Sequence, residues 1–243
     1  MKFLLKLKFV AVFLLINSFA HATSVEVFFE KTDYFFKLYV SDCKVDYDLI
    51  RKDPSLLNSI VDILATTDTS TLEKDEYKAF WINTYNILVI KGIINNNFPV
   101  TSVKDLKGFF DKRYYVVGGE QLTLNIIEKN KLRTILNDSF LNFVLVCAAN
   151  GCPPLINKAY MPVNIEKQLE DQVMKSINNP KFIKVNKKQK IVEISQIFDW
   201  YRPEFINQDE KIIDFINKYR TEKIDINYTI EYYKYDWSLN TKK

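Results

Sequence analysis

The chain has 243 residues and a formal net charge of +4, and its one histidine is His21. Lys2, Lys6 and Lys8 supply three of the positive charges, so the rest of the chain carries a net charge of about +1. This near balance argues against a nucleic-acid-binding protein, which needs a clustered basic face, and against electrostatic docking to an anionic membrane.

The first predicted element is a cleavable signal peptide over residues 1–22. Its lysines are followed by an apolar run over residues 9–20, and then by His21 and Ala22. A charged start, a short apolar stretch and small residues before the cut form the pattern that signal peptidase recognises. The run is about a dozen residues long, whereas a bilayer-spanning helix needs about twenty. We expect cleavage near Ala22, export to the periplasm or the cell exterior, and no stable membrane insertion afterwards.

Removal of the leader would leave a mature protein without histidine. Catalysis by Ser-His-Asp or Cys-His arrangements would then be excluded, because imidazole is the proton acceptor in both. Three cysteines without histidine also argue against a zinc site, and we expect neither a metal nor a cofactor. Residues 23–243 contain no linker rich in Ser, Gly or Pro and are expected to form one globular domain.

Hydrophobic periodicity predicts a mixed α/β (α+β) fold for this domain. Asp53 is expected to cap a helix over residues 53–64, and the helix over residues 73–94 is apolar on nearly every side, which predicts a buried central helix. The further predicted elements are a hairpin (114–117 and 121–124), a helix (126–136), a buried strand (143–147), a helix (165–177), a hairpin (182–185 and 191–194), a helix (212–219) and a strand (224–235). The hairpins predict a partly antiparallel sheet.

Asn83 and Asn86 lie on the predicted central helix, on either side of Tyr85. Their spacing of three places both amides on one side of an otherwise apolar helix. A buried amide without partners costs about 1–3 kcal/mol, so both amides must form hydrogen bonds. Either they bind the backbone of a neighbouring segment, or, together with Tyr85, they line a pocket and orient a ligand.

A second candidate site is the segment from Cys147 to Cys152 (CAANGC), which two prolines follow. The two cysteines could form a disulfide, which suits an oxidising compartment, with Cys43 as a rival partner for either. Cys152 could instead be a nucleophilic thiolate, which requires a pKa lowered by nearby cations or amide dipoles. It could also be an inert, half-buried thiol.

A third candidate is the charged pattern of Glu128, Lys129 and Arg133 on the helix after the first hairpin. The default interpretation of this pattern is a solvated helix face. If the helix faces the cysteine segment instead, Glu128 is a candidate general base and Arg133 a candidate clamp for an anionic group.

Six ordered segments within residues 45–240 carry a family resemblance. They are residues 45–47 (VDY), 79–86 (AFWINTYN), 124–128 (LNIIE) with 132–133 (LR), 146–155 (VCAANGCPPL), 197–201 (IFDWY) and 235–240 (YDWSLN). The chain resembles the family catalogued as domain of unknown function 547, which is found in bacteria and plants. Because the activity of that family is not established, the resemblance implies no particular reaction. Family members often carry histidines at the positions of Lys129 and Asn142, so this chain lacks any chemistry that depends on those imidazoles.

Three functions remain open, and the sequence does not decide whether the protein is an enzyme. The favoured one is a non-catalytic exported binding module, whose pocket takes a small polar molecule or an envelope-derived peptide or glycan. The alternative is a thiol-dependent hydrolase or acyl transferase, in which Cys152 attacks, Glu128 accepts the proton and Arg133 binds an oxyanion. Thiol-disulfide exchange is the weakest, because the cysteines do not have the two-residue spacing of thioredoxin-like sites.

Overall fold

The computed structural model describes residues 24–96, 99–207 and 210–242. The predicted leader and His21 lie outside these ranges. Within them, every helix is too short or too polar to cross a lipid bilayer.

The described chain forms short strands between helices, which confirms the mixed α/β (α+β) fold class. Its helices are α1 (Ser24–Tyr39), α2 (Tyr47–Lys52), α3 (Ser55–Thr66), α4 (Lys74–Ile94), α5 (residues 124–136), α6 (Ile165–Ile177), α7 (Ile197–Trp200), α8 (Arg202–Phe205) and α9 (Ile212–Tyr219). Its strands are β1 (Val40–Ser41), β2 (Lys44–Val45), β3 (Tyr115–Val117), β4 (Glu120–Leu122), β5 (Ile183–Asn186), β6 (Ile191–Ser195) and β7 (Thr229–Tyr233). The pairs β1–β2, β3–β4 and β5–β6 are antiparallel, and β7 adds parallel to β6.

Helix α4 is the buried centre of the fold, as its sequence predicts. Every residue from 78 to 90 is buried, because α1, α2, α3 and α5 pack around it. The buried ammonium group of Lys78 lies 3.1 Å from Asp138 and 2.6 Å from Glu166. A buried cation is tolerated only when it is paired in this way, so Lys78 does not disturb the apolar surroundings of the helix.

Helix α1 has no counterpart among the elements predicted from the sequence. Its buried face carries Phe28, Phe35 and Phe36, whose spacing is helical. The rings of Phe28 and Phe80 lie 5.0 Å apart, so α1 packs directly on α4.

The core consists of two hydrophobic clusters that α6 joins. Ile165 and Leu169 of α6 belong to the cluster around α4, whereas Val173 and Ile177 belong to the cluster beneath β5, β6 and β7. The fourfold spacing of these apolar residues places them along one side of α6.

The predicted strand over residues 143–147 is wrong. Residues Ser139–Phe143 form a 3₁₀ turn, and the residues that follow join no strand of the described chain. Instead, the Asn86 amide donates to the Val144 carbonyl and accepts from the Val146 N–H, both at 2.9 Å. A side-chain amide offers the same donor and acceptor as a peptide group, so this apolar segment is satisfied in the core without a sheet.

Two predicted boundaries also differ from the structure. Asp53 lies just after α2 and does not begin α3; its carboxylate accepts the Ser55 N–H at 3.0 Å, and Pro54 precedes the first turn of α3. The last strand starts at Thr229 because Asp225 opens a turn, in which its carboxylate accepts the N–H group two residues later at 2.9 Å.

Candidate functional site

The segment from Cys147 to Cys152, here called the thiol loop, is held by the C-terminal residues 236–240. Three backbone hydrogen bonds of 2.8–2.9 Å join them: Asn150 N to Ser238 O, Gly151 N to Asp236 O, and Asn240 N to Ala148 O. A Cβ atom on Gly151 would lie 2.9 Å from the Asp236 nitrogen, so this close approach requires glycine. The loop conformation therefore depends on contacts between segments that are far apart in sequence.

The two sulfur atoms of the thiol loop lie 2.7 Å apart. This separation exceeds the roughly 2.05 Å of a disulfide bond, and Cys147 and Cys152 are free thiols in the structure. The Cys152 sulfur accepts from the Cys147 N–H and from the Tyr235 hydroxyl, both at 3.1 Å. The same hydroxyl lies 3.3 Å from the Cys147 sulfur, so Tyr235 bridges the pair.

These contacts make the two thiols chemically different. Burial opposes ionisation of Cys152, but hydrogen bonds from the Cys147 thiol, the Tyr235 hydroxyl and backbone N–H groups outweigh it and lower the pKa of Cys152. The hydrogen bond to Cys152, together with burial, raises the pKa of Cys147 well above its ordinary value. Burial also raises the pKa of Tyr235, so its hydroxyl keeps its proton. The pair therefore favours a thiolate on Cys152 and a thiol on Cys147.

The winding of α5 brings Glu128 and Arg133 together. Helix α5 consists of an α-helical turn (Leu124–Ile126), a π-helical stretch (Ile127–Arg133) and a second α-helical turn (Thr134–Leu136). A π-helix pairs residues five apart, and here the Arg133 Nε donates to Glu128 Oε1 at 2.9 Å. Both side chains are less than one-fifth exposed, so the default prediction of a solvated face is wrong for these two residues.

Glu128 accepts two further hydrogen bonds, from tyrosines. Tyr201 donates to Oε1 at 3.1 Å and Tyr85 donates to Oε2 at 3.3 Å. Burial, and then the charge of Glu128, raise the pKa of both phenols, so each keeps the proton that it donates. The carboxylate is thereby fixed in position by two phenols and a guanidinium group.

Arg133 is occupied on its other side as well. Its Nη1 donates to Glu204 at 2.5 Å and its Nη2 to Asn142 at 3.1 Å, and the guanidinium group lies 3.9 Å from the centre of the Tyr201 ring. Two carboxylates therefore pair with one guanidinium group. A ligand anion would have to compete with both of them for Arg133.

These groups face a cavity of about 350 Å³, here called the first cavity. Its polar lining includes Asn125, Glu128, Arg133, Asn142 and Cys147. Its aromatic lining consists of Tyr85, Phe110, Trp200, Tyr201, Tyr235 and Trp237. The indoles of Trp200 and Trp237 stack at 5.9 Å and 28°, and Trp200 is 45% exposed. The first cavity thus has an aromatic platform at its mouth and a fixed carboxylate in its wall.

Cys152 lines a different space, the second cavity, of about 410 Å³. Its charged lining consists of Lys44, Lys181, Lys234, Asp42 and Asp236. Cys43 lines the second cavity too, whereas Cys147 lines the first. The thiol pair therefore forms part of the wall between the two cavities, with one sulfur-bearing side chain on each side.

Comparison with known families finds a match over part of the chain. The model of the family described as "Protein of unknown function, DUF547" matches residues 69–177. The matched residues therefore form a DUF547 family domain, which covers less than half of the chain. No curated protein and no solved structure matches the chain significantly.

The DUF547 match contains α4, α5, α6 and the thiol loop, but the site extends beyond it. Tyr201, Glu204 and Tyr235 lie outside the matched residues and contact Glu128, Arg133 and the thiols. The three similar segments outside the match also meet the site. Tyr47 donates to the Asn240 side chain at 2.8 Å, and residues 197–201 and 235–240 contribute to the first cavity.

The structure brings some predicted site residues together and separates others. Tyr85, Glu128, Arg133 and Cys147 line the first cavity, whereas Cys152 and Cys43 line the second.

Asn83 and Asn86 line neither cavity. The Asn83 amide donates to the Tyr160 carbonyl at 2.7 Å and accepts from the Tyr160 N–H at 3.0 Å. Of the two interpretations left open, binding to neighbouring backbone is the one observed for both asparagines.

Other contributors were missed at the level of the sequence. Glu204 and the second-cavity lysines gave no signal, because they acquire a role only through the fold. Lys129, at one of the positions where the family often has histidine, is exposed, whereas Asn142, at the other, is buried and donates to Glu204 at 2.7 Å. Within the described ranges, no three His, Cys, Asp or Glu side chains are placed to hold a metal ion.

Proposed function

We propose that this is an exported protein whose first cavity binds a sugar ring of an envelope-derived glycan. The observation that carries the proposal is the combination of stacked indoles and a fixed carboxylate around one cavity of about 350 Å³. Ligand sites combine predominantly apolar and aromatic walls with a few placed polar groups, and this volume lies within their usual range.

The aromatic platform supplies the apolar half of such a site. Trp200 and Trp237 stack on each other, and the Tyr235 ring lies 4.7 Å from Trp237 and 5.1 Å from Trp200. The C–H face of a sugar ring is apolar and flat, so it can cover an indole face and remove it from water.

The polar half comes from Glu128 and the amide of Asn125. Glu128 Oε2 accepts from Tyr85 at 3.3 Å, and a carboxylate oxygen has two lone pairs, so it retains capacity for a ligand hydroxyl. Asn125 adds an amide group to the same lining. Hydroxyls around a sugar ring need donors and acceptors of this kind.

The thiol-dependent hydrolase has less support. It requires Glu128 to take a proton from Cys152, but the two residues line different cavities. The side chains that hydrogen-bond to the Cys152 sulfur are those of Cys147 and Tyr235 and not that of Glu128. The geometry therefore favours binding over hydrolysis in the first cavity.

Binding can be measured by tryptophan fluorescence, because two of the three tryptophans line the first cavity. Titration with a panel of oligosaccharides that includes cell-wall disaccharides should give a saturable change. Trp200→Ala should weaken binding about tenfold, which corresponds to about 1.4 kcal/mol. Tyr114→Ala, at an aromatic residue that is 61% exposed and lines neither cavity, should leave binding unchanged. The proposal would be contradicted if no saccharide of the panel bound saturably, or if both variants lost the same amount of affinity.

Export is tested separately on the full chain expressed in a bacterial host. Amino-terminal sequencing of the protein recovered from the envelope or the medium should begin at Thr23. Recovery of the intact chain from the cytoplasm alone would remove the export part of the proposal.

A further inference from the structure

We propose that Cys147 and Cys152 form a reversible dithiol–disulfide couple that exchanges with small, amino-acid-derived disulfides entering the second cavity. This activity is separate from ligand binding in the first cavity. It uses the opposite side of the thiol loop, where the cavity lining shares only Pro153 with that of the first cavity.

The first argument is that the fold holds the two sulfurs at bonding approach. They lie 2.7 Å apart, and the loop between them is fixed by its hydrogen bonds to residues 236–240. Within the loop, the Cys152 N–H donates to the Ala149 carbonyl at 3.2 Å, and Ala148 has a φ of 62°. A loop shaped in this way needs little movement to close or open a bond between its ends.

The second argument is the division of roles between the thiols. Cys152 is the better nucleophile, because its sulfur collects the hydrogen bonds that stabilise a thiolate. Cys147 keeps its proton and lies next to that sulfur, where it can resolve a mixed disulfide. An attacking thiolate with a resolving thiol beside it is the arrangement that exchange requires.

The third argument is access and charge. Cys152 is half-buried and lines a cavity of about 410 Å³. The charged lining of this cavity consists of Lys44, Lys181 and Lys234 with Asp42 and Asp236. Three ammonium groups and two carboxylates suit a zwitterionic substrate with an excess of carboxylates, such as glutathione disulfide.

The reaction balances without a cofactor. The Cys152 thiolate attacks one sulfur of the substrate disulfide, a Cys152–substrate bond forms, and the first substrate thiolate leaves and takes a proton from solvent. Cys147 then loses its proton to solvent and attacks the Cys152 sulfur, and the second substrate thiolate leaves and is protonated. The protein dithiol is oxidised to a disulfide, and one substrate disulfide is reduced to two thiols.

The main test is a redox titration of the full chain, expressed with its own leader and carrying Cys43→Ser so that only the pair reacts. The protein is equilibrated with reduced and oxidised glutathione in different ratios, alkylated, and weighed by intact mass spectrometry. We expect the fraction of protein that has lost two hydrogens to follow the ratio of oxidised to reduced glutathione, and to fall again when reduced glutathione is restored. A bond that excess reduced glutathione cannot open, or thiols that excess oxidised glutathione cannot join, would overturn the proposal.

Two single variants assign the roles. In the same background, Cys147→Ser should accumulate a mixed disulfide between glutathione and Cys152, at least about tenfold faster than Cys152→Ser forms one at Cys147. Circular dichroism of both variants checks that each is folded. Equal rates, or a faster reaction at Cys147, would reject the assignment of Cys152 as the attacking thiol.

The substrate class is tested by charge. The double variant Lys181→Gln and Lys234→Gln should react about threefold to tenfold more slowly with glutathione disulfide, but at an unchanged rate with hydroxyethyl disulfide, which is uncharged. Equal slowing with both probes, or none with glutathione disulfide, would refute recognition of carboxylates by these lysines. Because saccharide binding is measured at the first cavity, either proposal can fail without the other.

Discussion

Replacement of Asn86 by leucine tests how much stability comes from a helix side chain that hydrogen-bonds a neighbouring backbone segment, as a paired strand would. Leucine keeps a side chain that branches at the same carbon, but it removes the two 2.9 Å hydrogen bonds to Val144 and Val146. The side chain is 2% exposed, so the abandoned backbone carbonyl and N–H group would find no water. Each unsatisfied group costs about 1–3 kcal/mol, which gives a loss of about 2–6 kcal/mol in the free energy of unfolding.

The assay is equilibrium unfolding in urea, monitored by circular dichroism. A loss of that size is a large fraction of the roughly 5–15 kcal/mol that stabilises a domain, so the midpoint should fall clearly. Asn227→Leu is the matched control, because Asn227 is exposed and should change the free energy by less than about 0.5 kcal/mol. If the two variants unfold alike, the Asn86 amide does not hold residues 144–146.

A second measurement separates local from global effects. Asn83→Leu removes the hydrogen bonds to Tyr160 and should destabilise the protein to a similar extent. Only Asn86→Leu releases the residue next to Cys147, so only this variant should alkylate faster at the thiol loop under native conditions. Equal acceleration in both variants would mean that general loosening controls access to the thiols.

Three further predictions concern the thiol loop and the ion pair. Gly151→Ala should destabilise the protein by about 1–3 kcal/mol in urea unfolding, because the added Cβ would lie 2.9 Å from the Asp236 nitrogen. An unchanged midpoint would show that the thiol loop and residues 236–240 separate easily. Arg133→Met should destabilise by at least about 2 kcal/mol, because it leaves the carboxylates of Glu128 and Glu204 without their cation, whereas a neutral result would mean that water replaces it. Tyr235→Phe removes a hydrogen bond that lowers the pKa of Cys152, so less thiolate forms at a given pH. The pH profile of Cys152 alkylation should therefore move to higher pH. An unchanged profile would show that the Tyr235 hydroxyl does not stabilise the Cys152 thiolate.

Local periodicity was sufficient to predict much of the fold. The helix pattern of residues 165–177 and the apolar surface of residues 73–94 gave α6 and α4, because both patterns reflect burial that a single helix imposes. The same reasoning explains the incorrect prediction of a strand over residues 143–147. Burial on all sides indicates a central strand, and nothing local reveals that Asn86 takes the place of its partner.

The sequence is sufficient to predict individual residues of the candidate site, but not which of them line the same cavity. Glu128 and Cys152 were both identified from residue type and position, yet they line different cavities. The ion pair of Glu128 and Arg133 depends on a π-helical stretch, which no spacing rule for an α-helix anticipates. Tyr201 and Tyr235 come from distant parts of the chain, so only the tertiary fold reveals their hydrogen bonds to the site.

The tie between the thiol loop and residues 236–240 also sets an order of events during folding. The hydrogen bonds that shape the loop come from residues that the ribosome adds about ninety positions later. Until those residues have emerged, Cys147 and Cys152 lack both the backbone clamp and the Tyr235 hydroxyl. The reactivity that distinguishes the two sulfurs is therefore acquired only after residues 235–240 have been made.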